Sequence, residues 1–281
     1  MPQYAAAWTG VHVPAYHHDM KHLKSSLADM RALFTRSVTA RHLAEPLVSF
    51  DSTSDATLTR SFMERRDFDA VGVRVDGTMS GYVLREDLQD GTLDRFWHSF
   101  DETRDVILEH DTLTTVLERL VEQPIVYVRM MGQVSGIITK GDLQKAPVRM
   151  WLFGLVSLLE MHLLRIIRAR FEGDGWTKKL SPKRVTDAQK LLEDRLRRNE
   201  AIDLADCLQL SDKATIVASL PELLSELGLG AKRPTQRLFR EITDVRNQLA
   251  HAHDIVSGNW PRLAGLARDI EQLVESCERC G

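Results

Sequence analysis

An ungapped internal repeat constrains the fold of this chain more than any other feature of its sequence. Residues 71–88 align on residues 126–143, and eight of the 18 positions hold the same amino acid in both copies. The identical pairs are Val71/Val126, Val73/Val128, Arg74/Arg129, Gly77/Gly132, Ser80/Ser135, Gly81/Gly136, Asp87/Asp142 and Leu88/Leu143. Such self-similarity is typical of a supersecondary unit that occurs more than once. The chain is therefore expected to contain two copies of one folding unit.

Hydrophobic patterning predicts the same order of elements in both copies. Each copy is expected to form a strand, a tight turn that contains glycine, a second strand and a helix. An amphipathic helix precedes each copy, from Ala56 to Arg65 and from Thr112 to Glu122. The pattern predicts two βαββα units in tandem, joined by a link from Asp90 to Phe100.

The second copy ends in a pattern that suits nucleotide binding. An apolar strand from Gly136 runs into Thr139, two spacer residues and Asp142, so a hydroxyl and a carboxylate meet where the strand enters a helix. Thr139 and the N–H groups of the helix start suit a phosphate or sugar oxygen, while Asp142 suits a ribose diol. The alternative is that Thr139 and Asp142 cap the helix and bind no ligand.

The element order and the terminal motif resemble a tandem pair of cystathionine-β-synthase-type (CBS) domains, the Bateman module, over about residues 38–146. The resemblance implies that Thr139 and Asp142 contact the phosphate and ribose of a regulatory adenine nucleotide (AMP, ADP or ATP). Asp87 would be the matching ribose contact in the first copy. Leu84 stands where the family has Ser or Thr, so one complete and one doubtful site are expected. Two degenerate copies that bind nothing are the alternative.

Composition, net charge and cysteine content argue against several other classes of protein. The 281 residues are 43% hydrophobic, enough for about two domains, and the net charge of −3 means that RNA binding would need a local basic patch. The longest apolar stretch, from Met150 to Leu159, is too short to span a bilayer, and no signal-peptide pattern is present. Three cysteines cannot form a disulfide framework, and the Cys277/Cys280 pair lacks a second pair for a metal site. We expect a cytoplasmic protein without a membrane partner or a bound metal.

After Pro147 the strand patterns stop and helical periods run to the C-terminus. The predicted fold class is therefore α+β: an N-terminal lead (1–37), the CBS-like pair (38–146) and an all-α helical bundle (147–281). Met150 to Phe171 is apolar on several faces, which predicts the central helix of a bundle or part of a dimer interface. The other predicted helices are Ala15–Phe34, Ser181–Asn199, Ile202–Leu208, Ser211–Ala218, Pro221–Leu227, Thr235–Ala252 and Trp260–Cys277.

The Thr235 helix contains Arg246-Asn247 followed by His251, an R-x4-H pattern that resembles the motif of HEPN domains. The resemblance covers residues 148–280 in helix content and implies a metal-independent endoribonuclease that acts as a dimer. His251 would transfer protons, Arg246 would hold the scissile phosphate, and Asn247 would orient it. Glu160 is a candidate orienting carboxylate. The alternative is that Arg246 makes a surface ion pair and that His251 complements the helix dipole.

Helical geometry predicts that this site is shared between two chains. At 100° per residue, Asn247 and His251 lie on one face while Arg246 points about 140° away from His251. Two copies around a twofold axis can bring the three groups together, which predicts a homodimer with RNA as the substrate. The leading hypothesis is thus an adenine-nucleotide-regulated endoribonuclease of a toxin, phage-defence or RNA-turnover system, with no cofactor for catalysis. The alternative is a non-catalytic nucleotide-binding regulatory or scaffold protein whose helical domain dimerises or binds a partner or RNA.

Overall fold

The computed structural model describes residues 29–30, 32–33, 38–250 and 260–280. Asp29, Met30, Ala32 and Leu33 have helical backbone conformation. The rest of the predicted Ala15–Phe34 helix lies outside the described residues, as does His251.

The two repeats form two four-stranded sheets, ordered β2-β3-β4-β5 and β1-β8-β7-β6. In each repeat a short strand pairs in parallel with the next strand along the chain, and the connecting helix is α1 (Ala56–Arg66) or α2 (Leu113–Glu122). The mixed α+β class and the presence of one sheet per repeat are therefore confirmed. The strands are β1 (Glu45–Pro46), β2 (Ser49–Asp51), β3 (Ala70–Val75), β4 (Thr78–Leu84), β5 (His98–Ser99), β6 (Val106–Leu108), β7 (Ile125–Met130) and β8 (Gln133–Thr139).

The repeats exchange their leading strands. β1 precedes the first repeat yet pairs with β8 of the second, and β5 precedes the second repeat yet pairs with β4 of the first. Both exchanges occur beside an equivalent glycine: a Cβ on Gly136 would lie 3.1 Å from the Cβ of Ala44, and a Cβ on Gly81 would overlap the carbonyl of His98. The predicted Asp90–Phe100 link thus contains a strand that ties the two repeats together.

Each hairpin turns through two residues with positive φ, as a type I′ turn requires. Asp76 and Gly77 have φ of 49° and 77°, and Met131 and Gly132 have φ of 51° and 86°. The sequence predicts a turn at Gly77 and at Gly132, because glycine readily adopts the left-handed region. Met131 is 92% exposed and adopts that region without this freedom.

The prediction of a closing helix in each βαββα unit is wrong, because neither segment forms an α-helix. Arg85–Asp87 and Lys140–Gln144 are short 3₁₀ turns. The first turn ends at Leu88 in extended backbone, and Gly91 beyond it has a φ of 135°, outside the helical region. The second ends at Lys145, also extended. Both motifs are therefore compact turns, and the second leads straight into a new long helix.

The chain from residue 146 onward is helical, and its described residues form no strand. The segment predicted as a helix from Ile202 to Leu208 is instead a 3₁₀ turn, Leu204–Cys207, because Asp203 and Asp206 cap a single turn. The helices are α3 (Ala146–Arg170), α4 (Pro182–Leu196), α5 (Leu210–Ala218), α6 (Pro221–Glu226), α7 (Lys232–Ala250) and α8 (Trp260–Arg279).

The boundaries of the hydrophobic cores do not coincide with the boundaries of the two repeats and the helical domain. The first repeat has a core of its own around Met63, Val71 and Val83. The core of the second repeat continues without a break into the helices, since Leu117 of α2 and Trp151 of α3 belong to one buried cluster. Because close-packed interiors transmit strain, a displacement of core residues in the second repeat should shift their neighbours in the helical domain.

Helix α3 is central to that cluster and is longer than its most apolar stretch. Its 25 residues include an 18-residue window with a mean hydropathy of 1.6, so by length and composition alone it matches a membrane span. This corrects the sequence-based view that no segment is long enough. Within that window 56% is buried inside the protein, as in a core helix.

Candidate functional site

The ends of both repeat motifs converge on one cavity of about 580 Å³, within the size range of small-molecule sites. One wall is Thr139-Lys140-Gly141 of the second repeat, and the other is the equivalent Leu84-Arg85-Glu86 of the first. The remaining lining residues are Asp67, Asp69, Pro124 and Ile125. The cavity therefore belongs to the pair of repeats, because neither repeat encloses it alone.

Thr139 and Asp142, the two predicted ligand contacts, are bonded to each other. Asp142 Oδ2 accepts hydrogen bonds from the Thr139 backbone N–H at 2.7 Å and from the Thr139 hydroxyl at 3.0 Å. Thr139 lines the cavity, whereas Asp142 is not among the lining residues and is only 12% exposed. The motif thus builds its own turn, in which Thr139 lines the cavity and the carboxylate of Asp142 supports it from behind.

A lysine that sequence reasoning missed completes this turn. Lys145 Nζ lies 3.0 Å from Asp142 Oδ1, and it also donates to the carbonyl of Leu43 and the carboxylate of Glu45 in exchanged strand β1. Burial alone would lower the pKa of Lys145, but the hydrogen bonds with Glu45 and Asp142 outweigh it and raise that pKa. Lys145 therefore stays charged and joins the motif, the exchanged strand and the start of α3.

The first repeat is built differently at the equivalent position. Leu84 provides no side-chain cap, and Asp87 pairs with His98 Nε2 at 2.9 Å. Asp87 is 39% exposed, so its carboxylate is far more open to solvent than that of Asp142. His98 comes from exchanged strand β5, just as Glu45 comes from β1. Each motif carboxylate is thus connected to the leading strand of the other repeat.

Charge in the cavity is mixed. Arg85 Nη2 lies 2.7 Å from Asp69, and its Nη1 lies 3.4 Å from Asp67. Lys140 and Arg85 bring two positive charges to the lining, against three carboxylates from Asp67, Asp69 and Glu86. A phosphate would therefore be attracted most strongly to the side that carries Thr139 and Lys140, where the described lining holds no carboxylate.

An aromatic cluster fixes the distance between the two sheets. The rings of Tyr82 and Tyr127 lie 4.8 Å apart, and Phe100 packs edge-on against Tyr127 at 4.9 Å. The Tyr127 hydroxyl is buried with no hydrogen-bond partner among the described residues, and burial raises its pKa. The neutral phenol serves as packing, which keeps the repeats in a fixed relation around the cavity.

In the helical domain, three of the four predicted catalytic residues come together. Arg246 of α7 lies with its Nε 3.8 Å from Glu160 Oε1 of α3, and its Nη1 lies 3.5 Å from the Asn247 side-chain oxygen. Lys213 of α5, which sequence reasoning missed, holds the other Glu160 oxygen at 3.3 Å. His251 lies outside the described residues. Glu160 therefore orients Arg246 from within the bundle, and buried Lys213, 8% exposed, orients Glu160.

Comparison with known proteins gives fold neighbours at low similarity. No family model matches the chain, and no curated protein matches it. Among solved structures, an uncharacterized conserved protein from Pyrococcus horikoshii is 18% identical, with 37% of this chain and 88% of that chain covered and a TM-score of 0.34. CBSX2 in complex with AMP is 16% identical, with 40% and 97% covered and a TM-score of 0.35.

A second structure of CBSX2, a CBS-pair protein from Arabidopsis thaliana, is 15% identical, with 40% and 95% of the two chains covered and a TM-score of 0.35. These neighbours include a CBS-pair protein. At such TM-scores the similarity carries no argument about ligands or activity. The arguments about the site therefore rest on the repeat, the exchanged strands and the cavity of this chain.

Proposed function

We propose that this is a nucleotide-binding regulatory protein, in which the cavity between the repeats takes an adenine nucleotide. The observation that carries the proposal is the convergence of both motif ends on one cavity large enough for such a ligand. The N–H groups of the 140–144 turn are donors for phosphate oxygens, and the Lys140 ammonium adds charge. The Thr139 hydroxyl would join them by turning its O–H from Asp142 to the phosphate. Leu84 offers no such donor, so one nucleotide per chain is expected.

The ribose would be held through Asp142. Its Oδ1 is paired with Lys145, which has two other acceptors in Leu43 and Glu45. A ribose hydroxyl that donates to Asp142 could therefore take the place of Lys145, because the ammonium keeps Glu45 as its counter-ion and the carboxylate keeps the hydrogen bond from the Thr139 N–H. Asp87, paired with His98, is the matching contact in the first repeat.

Calorimetric titration of the purified full-length protein with AMP, ADP and ATP tests this proposal. Thr139→Val keeps the shape of the side chain and removes the hydroxyl, and we expect at least a tenfold weaker affinity, about 1.4 kcal/mol. Thr112→Val is the matched control, because Thr112 also caps a helix start of the same repeat but does not line the cavity. The proposal fails if wild-type protein binds no adenine nucleotide, or if both variants bind equally well.

For the helical domain we propose a second function, a metal-independent endoribonuclease with a site shared across a homodimer. The Glu160–Arg246 contact favours it, because a carboxylate held by Lys213 fixes the direction of a guanidinium that could hold a phosphate. Asn247 lies beside it, and His251 would be the proton-transfer group. We also propose that the protein acts in the cytoplasm.

Incubation with mixed RNA in EDTA, followed by detection of 2′,3′-cyclic phosphate ends, tests the nuclease proposal. Arg246→Ala and His251→Ala should each remove cleavage. Arg240→Ala is the control, because Arg240 is an exposed arginine of the same helix with no ion pair to the described residues. Cleavage that survives in the Arg246 and His251 variants contradicts the site. Nucleotide binding without any cleavage by the wild type favours a regulatory or scaffold role.

A further inference from the structure

One arginine connects the nucleotide motif with the end of helix α7. Arg149 lies in the first turn of α3, and its Nη1 lies 3.5 Å from the side-chain oxygen of Gln144, the last residue of the motif turn. Its Nη2 donates to the main-chain carbonyls of Gln248 at 3.3 Å and Leu249 at 3.2 Å. The same guanidinium therefore contacts the two proposed functional regions.

The contact with α7 has a clear physical effect. The last carbonyls of a helix have no intrahelical N–H partner, and they form the negative end of the helix dipole. A guanidinium satisfies two carbonyls at once and complements that dipole, which a single ammonium does less well. Arg246 and Asn247 lie in the same final turns of α7, so Arg149 holds the backbone that presents them.

The other end of the connection is sensitive to the ligand site. Lys145, one turn before Arg149, pairs with Asp142, and the 140–144 turn between Thr139 and Lys145 ends at Gln144. In the proposed nucleotide complex, a ribose hydroxyl at Asp142 would take the place of Lys145 and allow this turn to shift. Because Gln144 and Arg149 are in contact, a shift of the turn alters the position of the guanidinium relative to α7.

We propose that Arg149 is a positioning residue that couples occupancy of the inter-repeat cavity to the C-terminal end of α7. The inference rests on the proposed nucleotide binding but not on the proposed nuclease activity. Nucleotide binding draws Arg149 away from the Gln248 and Leu249 carbonyls and loosens the last turns of α7. The helix that carries Arg246 and Asn247 is thereby regulated from the second repeat.

Hydrogen–deuterium exchange of the full-length protein, with and without saturating AMP or ATP, measures this coupling. In wild-type protein we expect amides of residues 241–250 to exchange about fivefold faster with nucleotide, the lower end of typical allosteric coupling. Arg149→Lys keeps the charge but loses the planar fork, so this nucleotide-dependent difference should disappear while the Kd stays within about twofold. A purely structural role would change exchange equally with and without the nucleotide.

Two further variants make the test specific. Arg165→Lys is the matched control, because Arg165 donates in the same way to the Cys277 carbonyl near the end of α8, away from the motif turn. It should keep the nucleotide-dependent difference. Gln144→Met removes the side-chain oxygen that Arg149 contacts, and it should lose the difference even if Arg149→Lys does not fold.

The possible outcomes distinguish the proposed nucleotide binding from the proposed coupling through Arg149. Absence of nucleotide binding by the wild type refutes the proposed function itself. Normal binding without any change at residues 241–250 overturns the coupling, as does an undiminished change in both Arg149→Lys and Gln144→Met. A Kd weakened more than tenfold in Arg149→Lys also overturns it, because the residue would then belong to the ligand site.

Discussion

Replacing the two equivalent motif carboxylates by alanine should have very different effects on stability. Asp142 accepts two hydrogen bonds from Thr139 and pairs with Lys145, and it is 12% exposed. Loss of a capping interaction costs about 1 kcal/mol and loss of hydrogen bonds to a charged group about 1.5–3 kcal/mol. Asp142→Ala should therefore lower the free energy of unfolding by about 3 kcal/mol. Asp87→Ala removes one exposed pair with His98 and should cost less than about 1 kcal/mol.

Urea unfolding followed by far-UV circular dichroism measures both effects, with the shift of the midpoint at unchanged slope as the readout. Asp142 lies in the repeat whose core continues into the helices, so its variant should shift the transition in which the helical signal is lost. Asp87 lies in the repeat with a separate core. Equal shifts for the two variants would refute the view that Asp142 alone supports a buried, fully bonded turn.

Three further predictions concern other parts of the chain. Met131→Asn should raise the free energy of unfolding by about 1 kcal/mol in the same urea assay, because Met131 has a φ of 51° and Asn tolerates the left-handed region better. Burial alone would raise the pKa of Glu241, but hydrogen bonds from Arg262 and Arg237 lower it below its usual 4.5. Its stabilisation is present above the unfolded pKa and lost as the pH falls through the folded value. Glu241→Gln should therefore destabilise at pH 7, and its difference from wild type should shrink as the pH is lowered, measured by thermal unfolding. Burial raises the pKa of Cys277 to about 12, so iodoacetamide at pH 8 should leave it unmodified until the protein is denatured, as peptide mass spectrometry would report.

Much of the repeat module could be predicted because its signals are local. The tight turns at Gly77 and Gly132 follow from alternation of apolar residues around a glycine that accepts positive φ. The preceding helices α1 and α2 begin within a residue of the predicted starts, where Asp55 and Thr112 cap them. Local propensity and tertiary structure agree in these segments, so the sequence pattern is sufficient.

The exchange of β1 and β5 could not be predicted, because it depends on contacts between distant segments. A two-residue strand carries almost no periodicity, and Glu45 and His98 have no apolar pattern that would mark them as strand residues. The signal that was available is the pair Gly81/Gly136, where the absence of a Cβ permits close approach of another strand.

In the candidate sites, the residue types were predictable but their supporting partners were not. The motif identified Thr139 and Asp142 but not Lys145, which lies three residues beyond Asp142 and is brought to it by the 3₁₀ turn. Glu160 was named from the sequence only as a candidate orienting carboxylate, and the structure places its Oε1 3.8 Å from Arg246 Nε. Lys213 was missed because a buried lysine has no sequence signature of its own.

The most direct test of the account is the number of nucleotides bound. Equilibrium dialysis of the full-length protein against labelled AMP, ADP and ATP should reach a plateau at one molecule per chain, because only the Thr139 side of the shared cavity has a hydroxyl and a nearby cation without a carboxylate. A plateau at two per chain would mean that Leu84 does not impair the first repeat. No saturable binding of any of the three nucleotides would contradict the central claim that this cavity is a nucleotide site.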